Sequence, residues 1–213
     1  RARLDRDRVL MAAVALADEG GLEATSMRRL AESLQVTPMA LYKHVADREE
    51  LLDGMVDVVV AEIPNQPAAG ADWRTGVRAR ILDARAAVLR HPWAKGAIET
   101  RAASSPIVLR HMDALIGMLW AGGFAPELVH NAMHALSTRM WGFTREVFPT
   151  PQLPSEPAER DAMLAHYAEE YPSIVMMVGA VAQAGGCDDE AEFAFALDLL
   201  LDGFERARIA QMG

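Results

Sequence analysis

The stretch MRRLAESLQVTPMALYKHVADREELL, Met27 to Leu52, carries three helix starts in close succession. Ser26, just before it, is placed to cap a helix by accepting an orphan N–H of the first turn. Leu30, Ala31 and Leu34 then share a face, and the small Ala31 leaves room for a second helix to cross closely. Val36 plugs the following turn, Thr37 stands at a second cap, and Pro38 takes the first helical position, where its missing N–H costs nothing. Asp47 and Glu50 make a D-x-x-E capping arrangement for the next helix.

The spacing predicts a helix of about two turns over 27–34, a tight corner, and a second short helix over 38–45. Leu41 and Val45 turn inward, leaving Met39, Tyr42, Lys43 and His44 for outside contacts. That is the layout of a helix-turn-helix whose second helix enters the major groove of DNA. The residue types suit such a role, since Thr37, Pro38 and Met39 can approach base edges, and Tyr42, Lys43 and His44 can donate to phosphates. The plainer alternative, a helical hairpin with a merely solvated polar face, does not account for a Tyr-Lys-His cluster beside so many caps.

Residues 5–63 resemble the DNA-binding domain of the TetR family of transcriptional repressors, with Thr37-Pro38-Met39-Ala40-Leu41-Tyr42-Lys43-His44-Val45 and Asp47-Arg48-Glu49-Glu50-Leu51-Leu52 carrying the match. The resemblance implies groove or base-edge contacts from Arg28, Thr37, Pro38, Met39 and Lys43, and phosphate contacts from Tyr42, His44 and Arg48. In that family the corner position held here by Gln35 is often Gly, so Gln35 is expected to carry some strain at positive φ. Arg1, Arg3 and Arg6 precede or open the first helix and are either a minor-groove arm or a frayed basic tail.

Outward from this segment the chain of 213 residues reads as all α: apolar residues fall at helical spacing, and alternating β-type runs are absent. Helices are expected at about 5–19, 27–34, 38–45 and 47–63, then at about 72–90, 93–101, 106–121, 126–147, 158–171, 173–184 and 189–210. Two prolines and a glycine make residues 64–70 the linker, dividing a domain at 1–63 from a larger one at 64–213, and Pro149 to Pro157 should form a loop. With 51% hydrophobic and 24% charged residues, the composition is that of a soluble globular protein. The formal charge of −9 is unevenly spread: residues 1–48 hold eight basic and seven acidic residues, leaving 13 basic and 23 acidic for the rest. An acidic total therefore does not argue against DNA as a partner of the first domain.

Cys187 is a lone cysteine, which favours a cytoplasmic protein. Asp5 and Asp7 argue against reading the N-terminus as a signal peptide, and no run approaches the ~18 apolar residues of a membrane span.

The larger domain resembles the tetracycline-repressor type of effector and dimerisation domain through Arg90-His91-Pro92-Trp93, Leu119-Trp120-Ala121-Gly122-Gly123-Phe124 and the last helix, Phe193 to Phe204. That implies a homodimer on a four-helix bundle from helices 126–147 and 189–210. The last helix supports it independently: Phe193, Ala196, Leu197, Leu200, Leu201 and Phe204 make one apolar face, while Phe195, Leu199 and Ile209 spread hydrophobicity round the helix. Trp93, Met112, Met118, Trp120, Met133, Met140, Trp141, Phe143, Met163, Met176 and Met177 are candidates for an adaptable apolar pocket or for plain core. His111, His130, His134, Ser137, Thr138 and Arg145 are polar groups on the same helices that can orient a ligand. His130 and His134, one turn apart, lack an HExxH context and a third ligand, so no metal is expected, and no cofactor motif is present.

No GxSxG elbow, P-loop or GxGxxG run suggests an enzyme. The reading is a ligand-responsive regulator, expected to be a repressor, that binds a palindromic operator in double-stranded DNA as a homodimer and is released by a small apolar or aromatic effector. The alternative is a DNA-binding regulatory or architectural protein without an effector.

Overall fold

The computed structural model describes residues 3–64, 71–100, 105–142, 154–183 and 188–211, without the side chains of 138–142 and 181–182. Arg1, Cys187, Phe143, Arg145, most of the linker, much of the Pro149–Pro157 stretch and the side chains of Thr138, Met140 and Trp141 lie outside the described residues. The described residues form eleven α-helices and one 3₁₀ turn. In chain order they are α1 (Arg6–Gly20), the 3₁₀ turn (Leu22–Ala24), α2 (Met27–Leu34), α3 (Pro38–Leu41), α4 (Arg48–Ala61), α5 (Trp73–Arg90) and α6 (Ala94–Glu99). There follow α7 (Pro106–Ala121), α8 (Pro126–Gly142), α9 (Pro157–Glu170), α10 (Pro172–Gln183) and α11 (Asp189–Ala210). The all-α architecture is as expected, and no helix among the described residues is long and apolar enough to cross a membrane.

Local chemistry sets most helix starts. Asp5 Oδ1 accepts from Arg8 N (2.9 Å), Ser26 Oγ from Arg29 N (3.3 Å), Asp72 Oδ1 from Thr75 N (3.0 Å) and Ser105 Oγ from Val108 N (3.3 Å). Before α4 the capping box is reciprocal, with Asp47 Oδ1 accepting from Glu50 N (2.8 Å) and Glu50 Oε2 from Ala46 N (2.6 Å). One cap differs from expectation: Thr37 has the extended backbone of an N-cap, but its side chain makes no capping bond. Ala40 N, a donor such a cap would satisfy, bonds instead to Thr37 O (2.9 Å).

The second helix of the motif is also shorter than the expected 38–45. It ends at Leu41, where His44 N and Val45 N both bond to Leu41 O (2.8 and 3.1 Å). This tight closure buries Val45 to 1% exposure and frees Ala46 and Asp47 to enter the extended cap of α4.

The structure divides into two compact units, residues 1–141 with 201–213, and residues 142–200. In the first, Val9, Leu10, Ala13, Leu30, Ala31, Leu41, Val45, Leu51, Met55 and Val59 share one core. At about 1.5–3 kcal/mol for each large side chain removed from water, this core dominates the stability of the N-terminal helices. The crossing of α1 and α4 is close at Gly54, where an added Cβ would lie 2.5 Å from Leu10 Cδ2. The same core continues past residue 63 through Ala84, Ala87, Trp93, Ala94 and Ala97, so packing does not stop at the expected division between domains.

In the second unit α9 packs on α10, and the Tyr167 and Tyr171 rings meet edge to face at 5.8 Å. Ile174, Met176, Met177 and Val178 of α10, with Phe195 and Leu199 of α11, are exposed.

Candidate functional site

The helix-turn-helix depends on the corner at Gln35. Gln35 is left-handed (φ 55°, ψ 43°), as expected from its position, and it is the one non-glycine residue with positive φ among the described residues. Gln35 N bonds to Glu32 O (3.1 Å) and Val36 N to Ala31 O (3.0 Å), which closes α2 in a Schellman arrangement. The corner then presents α3 with Leu41 fully buried. Thr37, Pro38, Met39, Tyr42, Lys43 and Arg48 are exposed, and His44 is half-buried. Met39 is 72% exposed, a cost in water that a groove partner would remove. Arg28 is exposed on α2 and held by Glu32 at 2.9 Å. All eight residues assigned to DNA contacts thus lie on or beside one short segment, with side chains at or near the surface.

At the ends of α1, α4 and α5 lies a polar junction that sequence reasoning missed. His91 Nδ1 stands 2.8 Å from Asp18 Oδ1, and His91 Nε2 stands 3.0 Å from Glu62 Oε1. Ionised carboxylates only accept, so both ring nitrogens must donate and His91 is an imidazolium. Burial works against that charge, but the hydrogen bonds to Asp18 and Glu62 outweigh it and raise its pKa. Burial likewise pushes Glu62 up, and the bonds from Arg90 and His91 more than reverse it. Arg90 Nε donates to Glu62 at 3.0 Å, and Trp93 Nε1 donates to Asp18 at 2.7 Å. The end of α1, the end of α4 and the corner after α5 are therefore tied by one charged cluster. The visible signal was Asp18, Glu62 and His91 at helix ends, but their meeting depends on how helices far apart in sequence pack.

The residues assigned to an effector pocket are dispersed. Trp93 is buried in the N-terminal core and anchored to Asp18. Met112, Trp120 and Met176 are exposed hydrophobics, at 39%, 47% and 74%. His130 and His134 are exposed with ring centres 4.5 Å apart, Met133 is half-buried, and Ser137 is exposed and donates to His134 O (3.3 Å). Of the assigned residues described with side chains, only His111 is a buried polar group in the body of a helix.

His111 lies near Arg80, a buried arginine also missed from the sequence. Burial and, secondarily, the Arg80 charge lower the His111 pKa to about 4, so the ring is neutral at ordinary pH. Arg80 is 4% exposed, and its Nη1 donates to Pro64 O at 2.7 Å. Its signal was legible: Arg80 interrupts the buried α5 face formed by Gly76, Val77, Ile81 and Ala84. A cleft of about 320 Å³ lies between α5 and α7, lined by Ala71, Asp72, Trp73, Gly76, Ala114, Gly117, Met118 and Ala121. Its mouth is shaped by the end of α7, where Gly123 is left-handed (φ 78°) and Phe124 packs edge-on against Trp73 at 4.6 Å. An added Cβ at Gly122 would come within 2.6 Å of the Trp73 ring.

Comparison with known proteins places these features in context. A family model described as bacterial regulatory proteins, tetR family, matches residues 9–55, and one described as tetracyclin repressor-like, C-terminal domain, matches residues 66–208. An HTH-type transcriptional regulator of Saccharopolyspora erythraea is 34% identical over 139 residues. That match covers 65% of this chain and 59% of the relative, so the chain spans less than two thirds of that protein. The HTH-type transcriptional repressor DrrR1 of Streptomyces coeruleorubidus is 32% identical over 216 residues, covering 95% of this chain and 77% of that one. Among solved structures, the Streptomyces coelicolor TetR family protein ActR in complex with actinorhodin superposes with a TM-score of 0.76 at 27% identity, over 97% of this chain and 98% of that one.

Proposed function

Because the chain belongs to the TetR family of bacterial regulators, we propose that it is a ligand-responsive transcriptional repressor whose α2–α3 segment reads an operator in double-stranded DNA. The observation that carries this reading is the inside-out arrangement of α3: Leu41 and Val45 are sealed in the core, while Thr37, Pro38, Met39, Tyr42 and Lys43 project from the opposite side. Thr37, Pro38 and Met39 at the helix start approach base edges, joined by Arg28 and Lys43. Tyr42, His44 and Arg48 hold phosphates and set the register.

The regulator acts as a homodimer. Phe195 and Leu199, at 67% and 54% exposed on α11, supply apolar surface for a second copy, and a two-fold partner covers the same surface on both chains. Two recognition segments must then sit ~34 to 36 Å apart, or a multiple of it, to meet successive major grooves on one face of DNA. The division of labour follows the expected boundary, with residues 1–63 binding DNA and 64–213 binding effector and partner; residues 56–65 separate the two family-model matches. An effector that prefers a dimer of different spacing must weaken DNA binding by the same coupling free energy. The relative ActR is solved in complex with actinorhodin, which supports a small-molecule effector here as well, apolar or aromatic to suit the cleft beside Trp73 and Met118.

The test is a fluorescence anisotropy titration of the protein into duplexes from the region upstream of its own gene, beside scrambled duplexes, over a range of salt. The expected result is selective binding at two chains or a multiple per site, with affinity falling steeply as salt rises. Absence of binding to any duplex at low salt would remove the recognition role of α3. Affinity that no apolar or aromatic compound reduces would leave a DNA-binding protein without an effector.

A further inference from the structure

Arg80 is the one arginine or lysine buried below a tenth of its surface among the described residues, and it forms no ion pair with any of them. Its Nη1 bonds to a neutral carbonyl, Pro64 O, while its Nε is buried without a hydrogen-bond partner. The acid that most supports its charge is Asp83, three residues on and exposed, and burial still lowers the guanidinium's pKa. A buried cation with an open donor is costly unless something meets it. Arg80 lies one helical turn beyond Gly76 on α5, and its neutral neighbour His111 lies just under a turn before Ala114 on α7. Gly76 and Ala114 line the cleft, so Arg80 and His111 stand about one helical turn along α5 and α7 from its lining.

We propose that Arg80 is the residue that selects the effector, and that the effector is an apolar ring compound carrying one anionic oxygen group, a carboxylate or an equivalent acid. The rings occupy the α5–α7 cleft beside Trp73 and Met118, and the anion accepts from Arg80 Nε. A carboxylate is the natural partner of a guanidinium because it can accept two parallel N–H bonds. The second bond comes from an Nη group, which brings the anion into competition with Pro64 O. Pro64 follows the end of α4, so loosening that bond frees the exit of the helix that seats the DNA-reading core. The inference rests on the effector-binding reading above and specifies its chemistry.

The experiment uses matched acid and amide pairs, 2-naphthylacetate with 2-naphthylacetamide and anthraquinone-2-carboxylate with its carboxamide. Binding to the intact protein is measured by calorimetry, and operator release by anisotropy. Wild type should hold at least one acid about tenfold or more tighter than its amide. Arg80→Gln should erase the preference, and Arg80→Lys should restore part of it. Equal binding of acid and amide in every pair, or a preference that survives Arg80→Gln, would overturn the proposal. If Arg80→Gln fails to fold, arginine-labelled wild type decides: the Arg80 Nε–H resonance should move with an acid and stay with its amide, and no movement with either counts against the proposal. Operator release by amides as effective as release by acids would sink this inference while leaving the regulator reading intact. Failure to bind any operator would sink the regulator reading, and the direct binding preference would still judge Arg80.

Discussion

The N-terminal helices and the α5–α7 pair handle polar chemistry in opposite ways. Around α3 the working side chains point out to solvent and the apolar ones seal the core behind them. In α5 and α7 the polar groups that matter, Arg80 and His111, are inside, and aromatic and methionine side chains such as Met112 and Trp120 are left exposed. The surface proposed for DNA is specified residue by residue along a short segment. The cleft proposed for an effector is specified by what meets across helices. Even the shared device differs: α2 and α7 both end in a Schellman arrangement, on Gln35 in one case and Gly123 in the other.

The sharpest way to break this contrast is to exchange inside for outside at α3. Leu41→Ala should cost about 2–5 kcal/mol by leaving a cavity, read as a lowered urea midpoint with an unchanged slope. A cost well under 1 kcal/mol would mean that Leu41 does not anchor the motif.

Next in size is the acid response of the buried pair. Between pH 6.5 and about 4, His111 takes a proton in the unfolded chain but not in the folded one, so stability should fall as pH falls through that range. At about 1.4 kcal/mol for each pH unit, the loss approaches about 3 kcal/mol by pH 4. His111→Leu should flatten this limb in urea titrations, and an unchanged slope would place His111 in contact with water. His91 should give the opposite sign at the other end. Its raised pKa supplies stability that is complete below pH 6.5 and lost as pH climbs through the folded-state value, and His91→Asn should remove that alkaline decline.

Smaller again is the loss at an outward residue. Lys43→Ala should leave stability within about 0.5 kcal/mol. It should weaken operator binding about tenfold, with a shallower salt dependence. Unchanged affinity would remove Lys43 from the interface. The smallest effect sharpens the comparison of helix ends: Gln35→Gly should raise stability by up to about 1 kcal/mol by relieving the left-handed backbone, measured as a higher melting temperature. A loss would show that the Gln35 side chain contributes more than its backbone costs.

The legibility of the sequence follows the same division. Ser26, Asp47 and Glu50 act on amides within a few residues, so their roles could be seen without the fold, and the groups around Thr37 to His44 were found together for the same reason. Thr37 was an overreach because a cap position does not oblige its hydroxyl to bond. The pocket assignments dispersed because a Met or Trp at helical spacing says only that a face is apolar, not which neighbour it meets. Trp93 went to the N-terminal core, and Met176 stayed exposed.

Periodicity, caps and the Pro38 start determined from sequence alone that the described residues are all α, where their helices begin, and that Thr37, Pro38, Met39, Tyr42 and Lys43 face outward while Leu41 turns in, because each depends on contacts within about a helical turn. Only the tertiary structure decided that Asp18 and Glu62 close on His91, that Arg80 reaches Pro64 O, and that α3 stops at Leu41. The first two join residues from 16 to 73 positions apart, and the hydrogen bonds that this packing creates hold His91 charged against its burial, which no local pattern encodes.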